Sequence, residues 1–321
     1  MMPVRQHRQY PVRPWLTQAA LVGLLVVAIG APALLAADAM QKSFASPEEA
    51  VTALVEAIKA GDKKAMMAIL GPEARPLISS GDRVTDKQGR QHFVDAYEQA
   101  HKLEPVGNAK VILSIGKDDW PLPIPLVKVG DAWRFDTPAG KEEILNRRIG
   151  RNELNTIQVC LAIVDAQREY ARMGHGGGSG PEYAQKFVSD PGRRNGLYWK
   201  ALEADEPPSP LGPLVAQARA EGYGGKRTKG KPVPYYGYLF RMVTAQGQDA
   251  PGGAYDYVVN GRMIGGFAVV AYPARYGVSG VMTFIVNQDG VVYQKDLGPD
   301  TAKLALGMKT YNPDNTWKKA E

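Results

Sequence analysis

The chain has 321 residues, 44% of them hydrophobic, and a formal net charge of +6. That length holds two modest domains with apolar cores, and a single cysteine, Cys160, excludes an internal disulfide framework. No Lys/Arg stripe interleaved with aromatics occurs, so nucleic-acid binding is not expected; the run Lys226-Arg227-Thr228-Lys229-Gly230-Lys231 reads as a solvated loop.

The chain opens with Arg5, Arg8 and Arg13, then an apolar stretch from Leu16 to Leu35 broken at Pro32. Small-x-small sites follow at Leu35-Ala36-Ala37 and Ala37-Asp38-Ala39. This is the pattern of a signal peptide over residues 1–39, cleaved near Ala37 or Ala39. An uncleaved anchor is the alternative, but Leu16 to Ala31 falls short of the ~20 apolar residues a span needs. No later stretch reads as a membrane span. The expected location is outside the cytoplasm, in the periplasm.

The next segment starts at Ser46-Pro47-Glu48-Glu49, a capping-box pattern with proline at the first helical position. Val51, Leu54, Val55 and Ile58 recur at helical spacing up to Gly61. Asp62 caps a second helix carrying Met66, Ile69 and Leu70, which stops at Gly71-Pro72. A third helical pattern runs from Gln91 to His101, with Phe93 and Tyr97 one turn apart. The period then changes to two. Val111, Leu113 and Ile115 alternate, and 126–129 and 132–136 flank Gly130-Asp131 as a hairpin.

A long helix follows, with Leu154, Ile157, Leu161 and Val164 as its stripe and Val159 and Ile163 widening it. Cys160 sits among these core positions as a buried structural thiol. Residues 174–234 are rich in Gly and Pro and read as a long irregular loop. Strands follow at 236–242, 267–272 and 281–285, and Asp289-Gly290 turns the chain into Val291-Val292-Tyr293. Helices followed by antiparallel strands, twice over, make an α+β protein. The first unit, residues 40–140, places helices on a curved antiparallel sheet. The second, 141–321, packs a long helix on another antiparallel sheet.

The helix-helix opening and the strand Asp131-Ala132-Trp133-Arg134-Phe135-Asp136 resemble the ketosteroid-isomerase-like, or cystatin-like, cone fold. The helix, loop and sheet over 152–297 resemble a type IV pilin head, although here the helix is internal, so pilin-type polymerisation is not implied. Further segments are Asp119-Trp120-Pro121-Leu122-Pro123-Ile124-Pro125, Arg148-Ile149-Gly150-Arg151-Asn152-Glu153-Leu154 and Gly290-Val291-Val292-Tyr293-Gln294-Lys295-Asp296-Leu297-Gly298. Together they resemble a bacterial family of exported proteins designated a domain of unknown function, DUF2950. That resemblance carries no activity with it.

Motifs for catalysis are thin. His175-Gly176-Gly177-Gly178 looks like a lipase oxyanion loop, but no Gly-x-Ser-x-Gly partner occurs. No His-x-x-x-His or Cys-x-x-Cys occurs, so no metal and no cofactor are expected. The cone-fold resemblance implies a cavity, with Tyr97, Asp119, Trp120 and Trp133 as its candidates. An enzyme would need a carboxylate or histidine there, and Asp95, Asp118, His92 and His101 are the others within reach. Tyrosines cluster at 235–238 and at Tyr255, Tyr257, Tyr272, Tyr276 and Tyr293. They serve either sheet packing or a ligand or partner surface. The surface candidates are Tyr255, Asp256, Tyr257, Asn260, Arg262 and Tyr293, with Asp256 and Arg262 free to pair. The leading expectation is a non-catalytic envelope protein that binds another envelope protein or a cell-wall component. The alternatives are a periplasmic hydrolase or isomerase, or a small-ligand carrier, using the first unit's cavity.

Overall fold

A computed structural model describes residues 41–174, 180–201, 206–224 and 232–320. The leader over 1–39, the glycine run after His175 and the basic run at 226–231 lie outside the described residues. The protein is α+β, with seven helices among the described residues.

Helix α1 (Pro47–Ala60) is capped as its sequence demands. Ser46 Oγ accepts from the Glu49 amide at 3.1 Å, and the Glu49 carboxylate reaches back to the Ala45 amide at 3.0 Å. Gly61 ends it in the left-handed region (φ 64°), open to glycine at little cost. Asp62 caps α2 (Lys63–Leu70), and the short α3 (Arg75–Ile78) follows. The next helix, α4 (Arg83–Gln99), starts eight residues before the expected Gln91 and ends before His101. It buries only Val94, so no apolar stripe marks its first two turns; its signal is the N-cap Asp82.

Strands β1 (His101–Pro105), β2 (Lys110–Ile115), β3 (Trp120–Pro121), β4 (Leu126–Val129) and β5 (Ala132–Phe135) form one antiparallel sheet in the order β1-β2-β4-β5, with β3 on β2. Phe44, Leu54, Met66, Leu113, Leu126 and Phe135 build a core between it and α1–α2.

Helix α5 (Thr137–Arg172) is a 36-residue rod, about 54 Å long at 1.5 Å per residue. Its first turns belong to the first core. Thr137 Oγ1 donates to Leu70 O at 2.7 Å, and Gly140 lies against the Pro123–Ile124 backbone so closely that a Cβ would sit 2.2 Å from Pro123 O. Its last turns belong to a second core. The buried face there is Val159, Cys160, Ile163, Val164, Ala166 and Tyr170, whereas Leu154 is 62% exposed. The stripe expected through Leu154 is therefore rotated, because Asn152, Thr156 and Gln167 take buried places and satisfy them by hydrogen bonding. Gln167 holds Ala184 at both amide atoms, 2.8 Å each, and Asn152 Nδ2 donates to Ser279 O at 2.9 Å.

The long irregular segment is broken by α6 (Gly212–Ala220). Strands β6 (Tyr238–Val243), β7 (Ala245–Gln246), β8 (Tyr255–Asp256), β9 (Val258–Val259), β10 (Arg262–Met263), β11 (Ala268–Pro273), β12 (Met282–Asn287) and β13 (Tyr293–Asp296) follow, then α7 (Thr301–Gly307) and β14 (Lys318–Lys319). The main sheet has the order β14-β13-β12-β11-β6, antiparallel throughout. Strand β11 is buried at every residue because α5 and α7 both pack on it, which explains its unbroken apolar run. Strand β13 begins at Tyr293, two residues later than expected, although the Ala320 amide bonds Val292 O at 2.9 Å in line with its pairing to β14.

Two glycines of α5 make a matched test of packing against propensity. Gly150 has open space around a notional Cβ, so Gly150→Ala should stabilise by about 0.5–1 kcal/mol. Gly140→Ala should instead destabilise by about 1–3 kcal/mol through overpacking. Urea denaturation of both variants checks the opposite signs.

Candidate functional site

A cavity of about 420 Å³ opens between α1, α2, α4 and α5, the last of which runs unbroken across the expected 140/141 boundary between the units. Leu54, Met66, Leu70 and Ile124 form its buried apolar floor, and Ile58, Phe93 and Ile144 its half-buried walls. Its mouth is polar: Asp86 and Arg90 from α4, Arg148 and Arg151 from α5, and Tyr236 from the second unit. Helical geometry places these groups. Asp86, Arg90 and Phe93 lie on one face of α4, and Ile144, Arg148, Arg151 and Asn155 on one face of α5. The volume and the apolar lining with a few polar groups match small-molecule sites, which range over roughly 300–1,000 Å³.

Arg148 is fixed by the fold. Its Nη1 donates to Pro76 O at 2.7 Å and Nη2 to Leu77 O at 2.6 Å, so it ties α5 to α3. Burial pushes its guanidinium below the ordinary value, while Asp86 pulls it back up. The Asp86 carboxylate accepts from the Ser80 amide at 3.0 Å. Arg90 and Arg151 form no ion pair among the described residues.

Tyr236 reaches the mouth through a joint built on Asp82, which is 2% exposed. Asp82 Oδ1 accepts from the amides of Val84 (3.0 Å) and Thr85 (3.2 Å), capping α4. Its Oδ2 accepts from Tyr223 Oη (2.8 Å) and from the Gly237 amide (3.0 Å), both in the second unit. Tyr236 itself stands at φ 49°, a left-handed conformation that costs a non-glycine residue of order 1–3 kcal/mol. Asp82 through Gly237, Tyr223 through the Tyr236 amide (3.2 Å) and Glu221 through the Tyr236 hydroxyl (2.6 Å) hold it there. Burial pushes the Tyr223 phenol up from its ordinary value.

The residues expected to line a cavity stand elsewhere. Tyr97 lies a turn beyond Phe93 and stacks on His101, ring centroids 3.9 Å apart. Asp119 pairs with Lys102 at 2.9 Å on the surface. Trp120 is 54% exposed with the Arg147 guanidinium over its ring. Trp133 is half-buried against the first core, its backbone paired with Phe44. None of the four lines the cavity. Asp95, Asp118 and His101 are exposed; His92 is exposed too but stands at the mouth.

The tyrosine surface also divides. Asn260 (φ 50°) and Gly261 (φ 77°) form the two-residue turn between β9 and β10. Arg262 Nε pairs with Glu182 at 2.8 Å and not with Asp256. Tyr257 is fully buried, its hydroxyl donating to Gln246 at 3.0 Å. Tyr255 is partly exposed and meets Tyr257 edge-on. Tyr293 is half-buried in β13 near Tyr311. Tyr255, Asp256, Asn260 and Arg262 thus form one small hairpin region, while Tyr257 belongs to the core. The arginines at the cavity mouth went unread in the sequence, although Arg148 and Arg151 repeat with Ile144 and Asn155 at helical spacing. Cys160 is buried, and burial pushes its thiol up to about 12. Among the described residues no group of three or more His, Cys, Asp and Glu could hold a metal ion, and no helix is long and apolar enough to cross a membrane.

Asp82→Ala removes a helix cap and leaves the Gly237 amide without its acceptor, while the Tyr223 hydroxyl keeps Thr85 Oγ1 within reach at 3.0 Å. It should cost about 2–4 kcal/mol in chemical denaturation. Cys160 should stay unlabelled by iodoacetamide at pH 8 in the folded protein and label fully in denaturant, read by intact mass.

Comparison with curated proteins and with solved structures returns no match. A family model described as "Protein of unknown function (DUF2950)" matches residues 41–320, nearly the whole described chain. The chain therefore belongs to the DUF2950 family.

Proposed function

We propose that this is an exported, non-catalytic binding protein whose site is the cavity of the first unit. The observation that carries it is the cavity itself. A solvent-open pocket of about 420 Å³ lies between four helices over a floor of buried Leu54, Met66, Leu70 and Ile124, within the size range of small-molecule sites. Export rests on the basic, apolar, small-residue leader, and a periplasmic carrier role follows from leader and cavity together. The helices lying over an antiparallel sheet support a cone-like first unit, and the long helix on the second sheet a pilin-head-like second one.

The polar groups at the mouth favour binding over catalysis. Asp86, the carboxylate there, is occupied by the Ser80 amide, and His92 is exposed. A second reading keeps the β9–β10 hairpin as a surface for another envelope protein or a cell-wall component. Exposed Tyr255, Val259 and Ile264 favour it.

A neutral solvatochromic naphthalene probe titrated into the full mature chain tests the cavity. Saturable binding of one probe per chain is expected. Ile144→Trp fills the cavity and should weaken binding at least about tenfold, with folding checked by circular dichroism. Leu154→Trp, on the exposed face of the same helix, should bind as wild type. Failure of the probe to saturate, or equal binding by folded Ile144→Trp, removes the cavity from the account.

A further inference from the structure

We propose that the cavity takes an amphipathic anion: an apolar chain on the floor and a carboxylate or phosphate head between Arg90, Arg148 and Arg151. This rests on the cavity reading above. The lining sorts by depth. Leu54, Met66, Leu70 and Ile124 are buried, whereas Arg90 and Arg148 are half-buried and Arg151 is exposed.

The charges at the mouth are unbalanced. Three arginines face one carboxylate, Asp86. Arg148 is repelled by Arg151 and by Arg275 and attracted only by Asp86. Like charges one turn apart on a helix are destabilising, and a half-buried cation away from bulk water feels them more strongly. Nothing among the described residues neutralises Arg90 or Arg151 by ion pairing. An anionic head supplies the missing charge. The donors are also in place. Arg148 uses one N–H on each of Nη1 and Nη2 for the Pro76 and Leu77 carbonyls, and a guanidinium carries five. Its position is therefore set by the fold while three N–H groups remain, a preorganised anion donor. Arg90 and Arg151, without fold contacts of that kind, can close on the head from either side.

Decanoate, decyl phosphate, decanol and decylamine compete against the neutral naphthalene probe on the full mature chain. Decanoate or decyl phosphate should displace it at least about tenfold more effectively than decanol, and decylamine should be weakest. The preference should shrink as salt is raised. Acetate and inorganic phosphate alone should not displace the probe, since the chain supplies the apolar contact. Arg90→Gln with Arg151→Gln should lower decanoate affinity at least about tenfold more than decanol affinity, a change in head-group preference that a merely structural loss would not produce; Arg148 is kept because it holds α3. Equal displacement by decanol and decanoate, with the probe still binding, overturns the anion proposal and leaves the cavity reading standing. A probe that never binds overturns both.

Discussion

One buried carboxylate holds the two units together. Asp82 sits at the N-terminus of α4 and accepts four hydrogen bonds, two from its own helix and two from the second unit. A carboxylate that forms no ion pair among the described residues is costly to bury, and here amide and hydroxyl dipoles together with the helix N-terminus offset that cost. No hydrophobic patch could do this work, because burying apolar area is indifferent to direction. The carboxylate fixes α4 against the 223–237 region to within hydrogen-bond tolerance. Arg275, which donates to Ser79 O from the other side, and Gln88, which donates to Glu221 O at 2.9 Å, reinforce the same seam.

The cavity depends on that seam. Its walls are α1, α2, α4 and the shared helix α5, and its rim includes Tyr236, held in a strained conformation by contacts that begin at Asp82. Helix α5 is the other strut: Gly140 locks its start onto the Pro123–Ile124 backbone, Arg148 ties its middle to α3, and Asn152 and Glu153 dock it on the second sheet. Glu153 Oε1 accepts from the amides of Val281 and Met282 at 2.8 and 2.9 Å, anchoring the start of β12. The segment 148–154 thus does two jobs in two turns, lining a site and joining two cores.

Local chemistry was legible wherever it was strong. The Ser46 cap, the Gly61 stop, the Gly130-Asp131 hairpin and the apolar run of β11 all read correctly from residues alone, as did the α+β class. What escaped was decided by tertiary partners. Helix α4 lacks an apolar stripe because its first turns face a cavity mouth, so only Asp82 marks its start. The stripe of α5 was misplaced because Asn152, Thr156 and Gln167 are polar yet buried, each satisfied by a partner distant in sequence or one turn back. Of the aromatic and acidic residues that look functional by type, Trp120 and Asp119 each pair with a cation on the surface and Tyr97 packs half-buried against the first core. The arginines that look like solvent-facing charges line the cavity. A pocket's lining is a property of helix orientation, and the sequence contains that only through contacts between the units.

If the seam and the cavity form one site, an occupant must tighten elements on both sides of it. Amide hydrogen exchange of the full mature chain, with and without saturating decanoate, tests this directly. Slower exchange is expected both in α1 and α4 around Leu54 and Phe93 and in the second unit around Tyr236 and Gly237. Protection confined to the second sheet, or unchanged throughout, would contradict the account.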